Sequence, residues 1–271
     1  MMLHGQNLVV AYDSHTVIRD LSHQIPQGKI SVFIGTNGCG KSTLLKALAR
    51  QIQPTGGQIV LDGKAVNEYG SKAFARRLAM LPQSPATPEG ISVRQLVRYG
   101  RYPHRTFGKA WQPGDDAAVE NAMHLTRTDA FAEQAVETLS GGQRQRAWIA
   151  MALAQDTPYL LLDEPTTFLD LSYQIEILDL LQQLNRETGK TILMVLHDLN
   201  LACRYADEIV ALYQGNVHAR GTPQEVMTAE TVQTVFGLKS MMIADPIYGT
   251  PMCIPFGRES FKSFENGHTV E

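Results

Sequence analysis

The run Gly35-Thr36-Asn37-Gly38-Cys39-Gly40-Lys41-Ser42 combines two things that a bound phosphate requires: backbone N–H groups free to turn inward, and a fixed cation. Gly35 and Gly40 let the chain curl so that successive N–H groups face the anion, and a helix beginning near Lys41 adds the positive end of its dipole. Lys41 is expected to reach the β and γ phosphates of ATP. The Ser42 hydroxyl is expected to help hold Mg²⁺, with Thr43 beside it.

A second group of residues suits the hydrolysis of the nucleotide that the loop holds. Tyr159 to Leu162 reads as a buried strand ending in Asp163 and Glu164, which places two carboxylates at the C-terminal edge of a sheet, where ligands of α/β proteins bind. Asp163 is expected to hold magnesium through water, and Glu164 to take a proton from the attacking water as general base. His197 follows the strand Thr191 to Leu196 and is placed to orient the γ-phosphate and that water; elsewhere, a lone histidine is usually structural. Gln83 ends the segment Ala79-Met80-Leu81-Pro82-Gln83. It is either a contact to magnesium or water that reports nucleotide state onward, or a solvated loop glutamine. Tyr12 either stacks on adenine or closes a strand as a core tyrosine.

The elements that must position these residues are legible as patterns. Leu8 to Tyr12, Leu21 to Pro26 and Lys29 to Ile34 read as short strands, and Ser42 to Gln51 as a helix with Leu44, Leu45, Leu48 and Ala49 on one face. From about 88 to 155 the pattern turns helical (Val93 to Tyr99, Ala117 to Leu125, Gly141 to Ala154), broken by Pro103, Gly108, Pro113 and Gly114. Strands return at Tyr159, Thr191 and Glu208 to Tyr213, with a helix Tyr173 to Arg186 between the first two. That is a βαβ pattern and predicts a parallel sheet. The last stretch, 259–271, reads as a loose polar tail.

Composition narrows the classes. The chain has 271 residues and 44% hydrophobic content, with no apolar run near the roughly 20 residues of a bilayer span. No signal-like start is present, which leads us to expect a cytoplasmic protein. The three cysteines, Cys39, Cys203 and Cys253, have neither an even count nor metal spacing, so neither a disulfide framework nor a zinc site is expected. A formal charge of -3 gives no electrostatic case for nucleic acid as the main partner.

With these residues in place, the chain resembles the nucleotide-binding subunit of an ATP-binding-cassette (ABC) transporter from Leu8 to about Arg258. The resemblance implies a P-loop α/β cassette over 1–258, with a mainly parallel core sheet, an N-terminal antiparallel β subdomain and an inserted helical subdomain at about 88–155. It assigns a Walker A loop to Gly35 to Ser42, a Q-loop to Gln83, a signature to Leu139-Ser140-Gly141-Gly142-Gln143, and a Walker B strand to Leu160 to Asp163 with catalytic Glu164. Phe168-Leu169-Asp170 becomes a D-loop and His197 the switch histidine. It further implies a homodimer in which the signature of one copy closes on ATP held by the other. Ser140, Gly141 and Gly142 offer a hydroxyl and N–H groups at a helix start, an anion site that one subunit alone leaves empty. Thr36 and Cys39 depart from the commonest wording, proline and serine. Cys39, close to a helix start and Lys41, is expected to have a lowered pKa and to make the ATPase sensitive to alkylation.

Two further segments resemble the iron-chelate importer branch, whose cargo is ferric siderophores, with haem and cobalamin as alternatives. They are Tyr99-Gly100-Arg101-Tyr102-Pro103-His104-Arg105, and Asp245-Pro246 with Gly249-Thr250-Pro251-Met252-Cys253-Ile254-Pro255. Integral-membrane permease subunits are then implied as partners, a periplasmic or surface substrate-binding protein as an indirect one, and the cytoplasmic face of the inner membrane as the location. Arg94, Arg98, Arg101, Arg105 and Lys109 form a basic run that either docks on acidic permease loops or is a solvated face, and the docking reading predicts that Arg101→Glu uncouples transport. A soluble cassette ATPase acting outside transport is the rival reading. The acidic balance and the lack of a second cassette, long coiled coil or zinc motif weigh against it.

Overall fold

Alternating apolar positions give the first layer. In the computed structural model, which describes residues 2–13, 15–86, 89–105, 111–167 and 169–257, β1 (Leu3–Tyr12) pairs antiparallel with β2 (His15–Ile25). Leu3, Leu8 and Val10 face inward with Ile18, Leu21 and Ile25. β1 starts at Leu3 rather than Leu8. The register shifts between Gly5 and Leu8, and Asn7 takes φ 48, so a bulge hides the alternation from the sequence pattern.

β3 (Ile30–Ile34) runs into the glycine loop and then α1 (Lys41–Leu48). β4 (Gly56–Leu61) and β5 (Lys64–Ala65) complete a four-stranded sheet of order β2-β1-β4-β5. After α2 (Ser71–Ala75) and β6 (Leu78–Leu81) come the helices α3 (Val93–Tyr99), α4 (Pro113–Leu125) and α5 (Gly141–Ala154). The chain then alternates through β7 (Tyr159–Leu162), α6 (Leu171–Thr188), β8 (Thr191–Val195), α7 (Leu199–Tyr205), β9 (Glu208–Tyr213) and β10 (Asn216–Gly221). It closes with α8 (Pro223–Val226), α9 (Ala229–Phe236) and the hairpin of β11 (Ser240–Ala244) and β12 (Pro251–Pro255).

The central sheet has order β10-β9-β3-β8-β7-β6, parallel except for the edge strand β10. Its two faces are buried differently. Phe33, Leu161, Leu193 and Val195 pack with α1 and the four-stranded sheet, whereas Ile30, Val32, Leu160 and Met194 pack with α6, α7 and the helices inserted between β6 and β7. Burial on both faces explains why β7 and β8 read as uninterrupted apolar runs. The same order brings the C-terminal ends of β3, β7 and β8 together, each followed by a segment that carries chemistry.

Pro113 and Gly114 start α4 instead of breaking a helix. Proline at the first helical position loses no intrahelical bond, and the Asp115 side chain caps the turn by accepting from Gln112 N at 3.2 Å. Gly108, Lys109 and the tail 259–271 lie outside the described residues.

Candidate active site

An open cavity of about 680 Å³ sits where those strand ends meet, and Asn37, Gly38, Gly40, Lys41, Ser42 and Thr43 form one wall of it. Gly35 and Gly40 take φ 147 and φ 109, and a Cβ at either would collide, with Leu212 O at 2.4 Å and with Ile18 Cδ1 at 2.6 Å respectively. The loop path therefore requires glycine at both positions. No side chain caps α1 at Gly40, and no acidic residue occupies its first turn, so that end is a preformed anion site. Lys41 is only 5% exposed and donates to Gly35 O at 2.8 Å and to Thr36 O at 2.9 Å, which holds the ammonium inside the loop.

Ser42 Oγ donates to Asp163 Oδ1 at 2.8 Å, joining the loop to the end of β7. Burial pushes the Asp163 carboxyl above the ordinary range, opposed by the Ser42 bond and the charges of Lys46 and Lys41, with Glu164 adding to the rise. Glu164 carries a left-handed backbone, φ 52, and its carboxylate is held from three elements. Gln83 Nε2 donates to Oε2 at 2.5 Å, Thr167 Oγ1 donates to the same oxygen at 2.9 Å, and His197 Nε2 lies 2.6 Å from Oε1. The Asp198 side chain accepts from Asn200 N and Leu201 N and so fixes the turn from β8 into α7, which sets the position of His197.

Lys41, Ser42, Thr43, Gln83, Glu164 and His197, all expected at a nucleotide site from their sequence context, lie together on the lining of this cavity. His15, Val17 and Thr167 also line it and belong to no recognised motif. His15 is the register partner of Tyr12, a residue 45% exposed at the end of β1 and outside the cavity lining. Gly35, Cys39 and Asp163 are buried beneath the lining, and Thr36 is exposed beside it.

Ser140 to Gln143 and Asp170 are not brought to the cavity. Ser140 caps α5 by accepting from Gln143 N at 3.3 Å, while Gln143 Oε1 accepts from Ser140 N at 3.0 Å. A Cβ on Gly142 would stand 3.1 Å from the Tyr173 ring, so the start of α5 packs closely on α6. Asp170 precedes α6, and Phe168 lies outside the described residues.

Two expectations are corrected. The Cys39 thiol is buried, and burial pushes its pKa up despite Lys41 Nζ at 4.0 Å, so it lacks the thiolate character expected from its place near a helix start. Arg101 does not lie on a docking face. It is 8% exposed and donates to Asp115 Oδ1 at 2.9 Å and to Ala154 O at 2.8 Å, tying α3, α4 and α5 together. Glutamate there would oppose Asp115 in a buried site and damage the fold rather than uncouple it. Of the same run, Arg94 pairs with Glu133 and Glu120, and Arg98 lies over the Trp111 ring at 4.1 Å.

A profile of the ABC transporter family matches residues 18–167. The achromobactin transport ATP-binding protein CbrD of Dickeya dadantii is 55% identical over 94% of this chain and 95% of its own. The ferric enterobactin transport ATP-binding protein FepC of Escherichia coli is 50% identical over 94% of each. Among solved structures, the dimeric bacterial ABC transporter cassette MJ0796 superposes with a TM-score of 0.73 at 26% identity, covering 82% of this chain and 98% of that one.

Proposed function

The chain belongs to the ABC transporter family as an ATP-binding subunit with ATPase activity, and we propose that it energises uptake of a ferric siderophore through separate membrane-embedded permease subunits. The observation that carries the catalytic part is the Glu164 carboxylate held at the rim of the phosphate cavity by His197, Gln83 and Thr167. The cargo rests on relatives named for achromobactin and ferric enterobactin transport.

In this reading the loop N–H groups and the start of α1 take the phosphates, Lys41 leaves the Gly35 and Thr36 carbonyls for the β and γ oxygens, and Tyr12 stacks on adenine. Ser42 and Gln83, with Asp163 through water, would hold Mg²⁺. The Ser42–Asp163 contact at 2.8 Å places two hard oxygen donors together, as a Mg²⁺ ion would require. When bound, that ion neutralises charge on the β and γ phosphates. Glu164 takes the proton of the water that attacks the γ-phosphorus as the bond to ADP breaks, and His197 orients that water. A second copy supplies Ser140, Gly141, Gly142 and Gln143 to the same γ-phosphate, with Asp170 beside the junction. This agrees with the dimeric state of the MJ0796 cassette.

We assign residues 1–258 to one cassette, with the helices of about 88–155 as an inserted subdomain. Among the described residues no helix is long and apolar enough to cross a membrane. The proposed place of work is therefore peripheral, on the cytoplasmic face of the inner membrane beside the permease, with an external binding protein delivering cargo. The test is uptake of radiolabelled iron, given as several ferric chelates beside labelled cobalamin, in cells lacking this chain and complemented with wild type or Glu164→Gln. Loss of one ferric-chelate signal, restored by wild type alone, is the expected result; a loss confined to cobalamin would replace the cargo.

A further inference from the structure

Of the three donors on the Glu164 carboxylate, two come from distant elements. Gln83 follows β6 and His197 follows β8; the Gln83 side chain is exposed, and that of His197 is 44% exposed. Both are also assigned to the nucleotide, its metal ion or the attacking water, so the carboxylate shares these two partners with the substrate. Thr167 belongs to the same turn as Glu164. Its N–H donates to Glu164 O at 3.2 Å and its hydroxyl to Glu164 Oε2 at 2.9 Å, so one residue closes the turn and grips the side chain.

The turn itself is stiff. Glu164 holds a left-handed backbone that a non-glycine residue seldom adopts, Pro165 has its φ fixed by the ring, and Thr167 is β-branched with few rotamers. Glu164 and Thr167 together line both the phosphate cavity and a smaller one of about 300 Å³ that also includes His197 and Asp198. Glu164 thus borders both cavities, with its side chain only 10% exposed and its carboxylate oxygens held by hydrogen-bonding partners.

We propose that Thr167 is the positioning residue for the general base, its hydroxyl fixing the Glu164 carboxylate while Gln83 and His197 turn to the nucleotide. The proposal rests on the assignment of Glu164 as base and adds to it a residue that neither the phosphate-loop motif nor the carboxylate pair contains.

The experiment measures steady-state ATPase rates and fluorescent-nucleotide affinity for Thr167→Val, Thr167→Ser and Glu164→Gln, and for Thr167→Val combined with Glu164→Gln. Misplacing the base is expected to lower kcat roughly ten- to hundredfold in Thr167→Val. KM and ATP affinity should stay at the wild-type value, and Thr167→Ser should restore the rate. In the Glu164→Gln background the valine substitution should change nothing further, because a residue acting only through Glu164 has no effect once the carboxylate is gone. Should Thr167→Val fail to fold, Thr167→Ala removes the same hydroxyl and is compared with Thr167→Ser. An unchanged kcat, a loss of ATP affinity matching the loss of rate, or an equal loss in the Glu164→Gln background each overturns the proposal. Rapid turnover by Glu164→Gln would instead remove the base assignment, while an inactive Glu164→Gln beside a fully active Thr167→Val removes only the role given to Thr167.

Discussion

Two glycine-bearing loops in this chain each open a helix, and they end in opposite states. α1 begins at Gly40 with no capping side chain, so its first-turn N–H groups point into a cavity without a polar side-chain partner. α5 begins at Ser140 inside a closed capping box, with the Ser140 and Gln143 side chains each satisfying the other's backbone. The first is a site made to be completed by an anion. The second is complete as it stands and can face solvent until something better than Gln143 N competes for the Ser140 hydroxyl. Equal glycine content thus does not mean equal function; the side chain at the cap decides whether a helix start waits for a ligand or stabilises itself.

Removing the cation separates the two ends most sharply. Lys41→Ala should weaken ATP binding by about a hundredfold or more, the worth of a charge-assisted hydrogen-bond set. Ser140→Ala should leave the affinity of a single chain within about twofold, since its loop contacts are untouched. Fluorescent-nucleotide titration reads both, and a comparable loss in the serine variant would erase the distinction.

A third helix start, that of α4, tests the role of a charged cap. The Asp115 carboxyl is held below the ordinary range: burial opposes ionisation, but the Arg101 hydrogen bond and the Gln112 N–H outweigh it. With the folded pKa depressed, this stabilisation is fully present above the unfolded value of about 4 and is lost as pH falls through the folded pKa. Asp115→Asn should cost about 2 kcal/mol at pH 7. The gap between the melting curves of the two proteins should narrow progressively as pH falls below about 4, and a constant gap would show that the charge contributes nothing.

The α5 cap comes next in size. Ser140→Ala should cost about 1 kcal/mol in urea unfolding. It should also lower ATPase turnover more than the stability loss accounts for, if a second copy uses that hydroxyl. Smallest of all is the effect at Cys39, whose buried thiol has a raised pKa. In the folded protein, maleimide should label it far more slowly than a free thiol, and ATPase activity should survive exposure to the reagent. Rapid labelling with loss of activity would restore the reactive-thiol expectation.

The chemistry is more legible in the sequence than the packing. α3, α5, β7 and β9 match the sequence pattern residue for residue, because caps and turn residues bound them on both sides. Lys41, Ser42, Asp163, Glu164 and His197 are legible because their neighbours force one backbone path, the glycines on one side and the buried strands on the other. The start of β1 is hidden by its bulge, and Pro113 misleads because a proline starts or stops a helix according to the residues on its C-terminal side. Arg101 resembles its solvated neighbours in sequence, and its contacts with Asp115 and Ala154 hold it in a buried place between the helices. Thr167 and His15 reach the cavity through one turn and one strand register, which no spacing rule announces.

From the contrast between the two helix starts we propose that the capped end of α5 completes the open end of α1 only in a second copy, with ATP between them. Sedimentation velocity of Glu164→Gln, with and without saturating ATP and Mg²⁺, tests it directly. A species of single-chain mass is expected without nucleotide and one of twice that mass with it, and the doubling should disappear when Ser140→Ala is added. A single-chain mass that persists with ATP fully bound would contradict it.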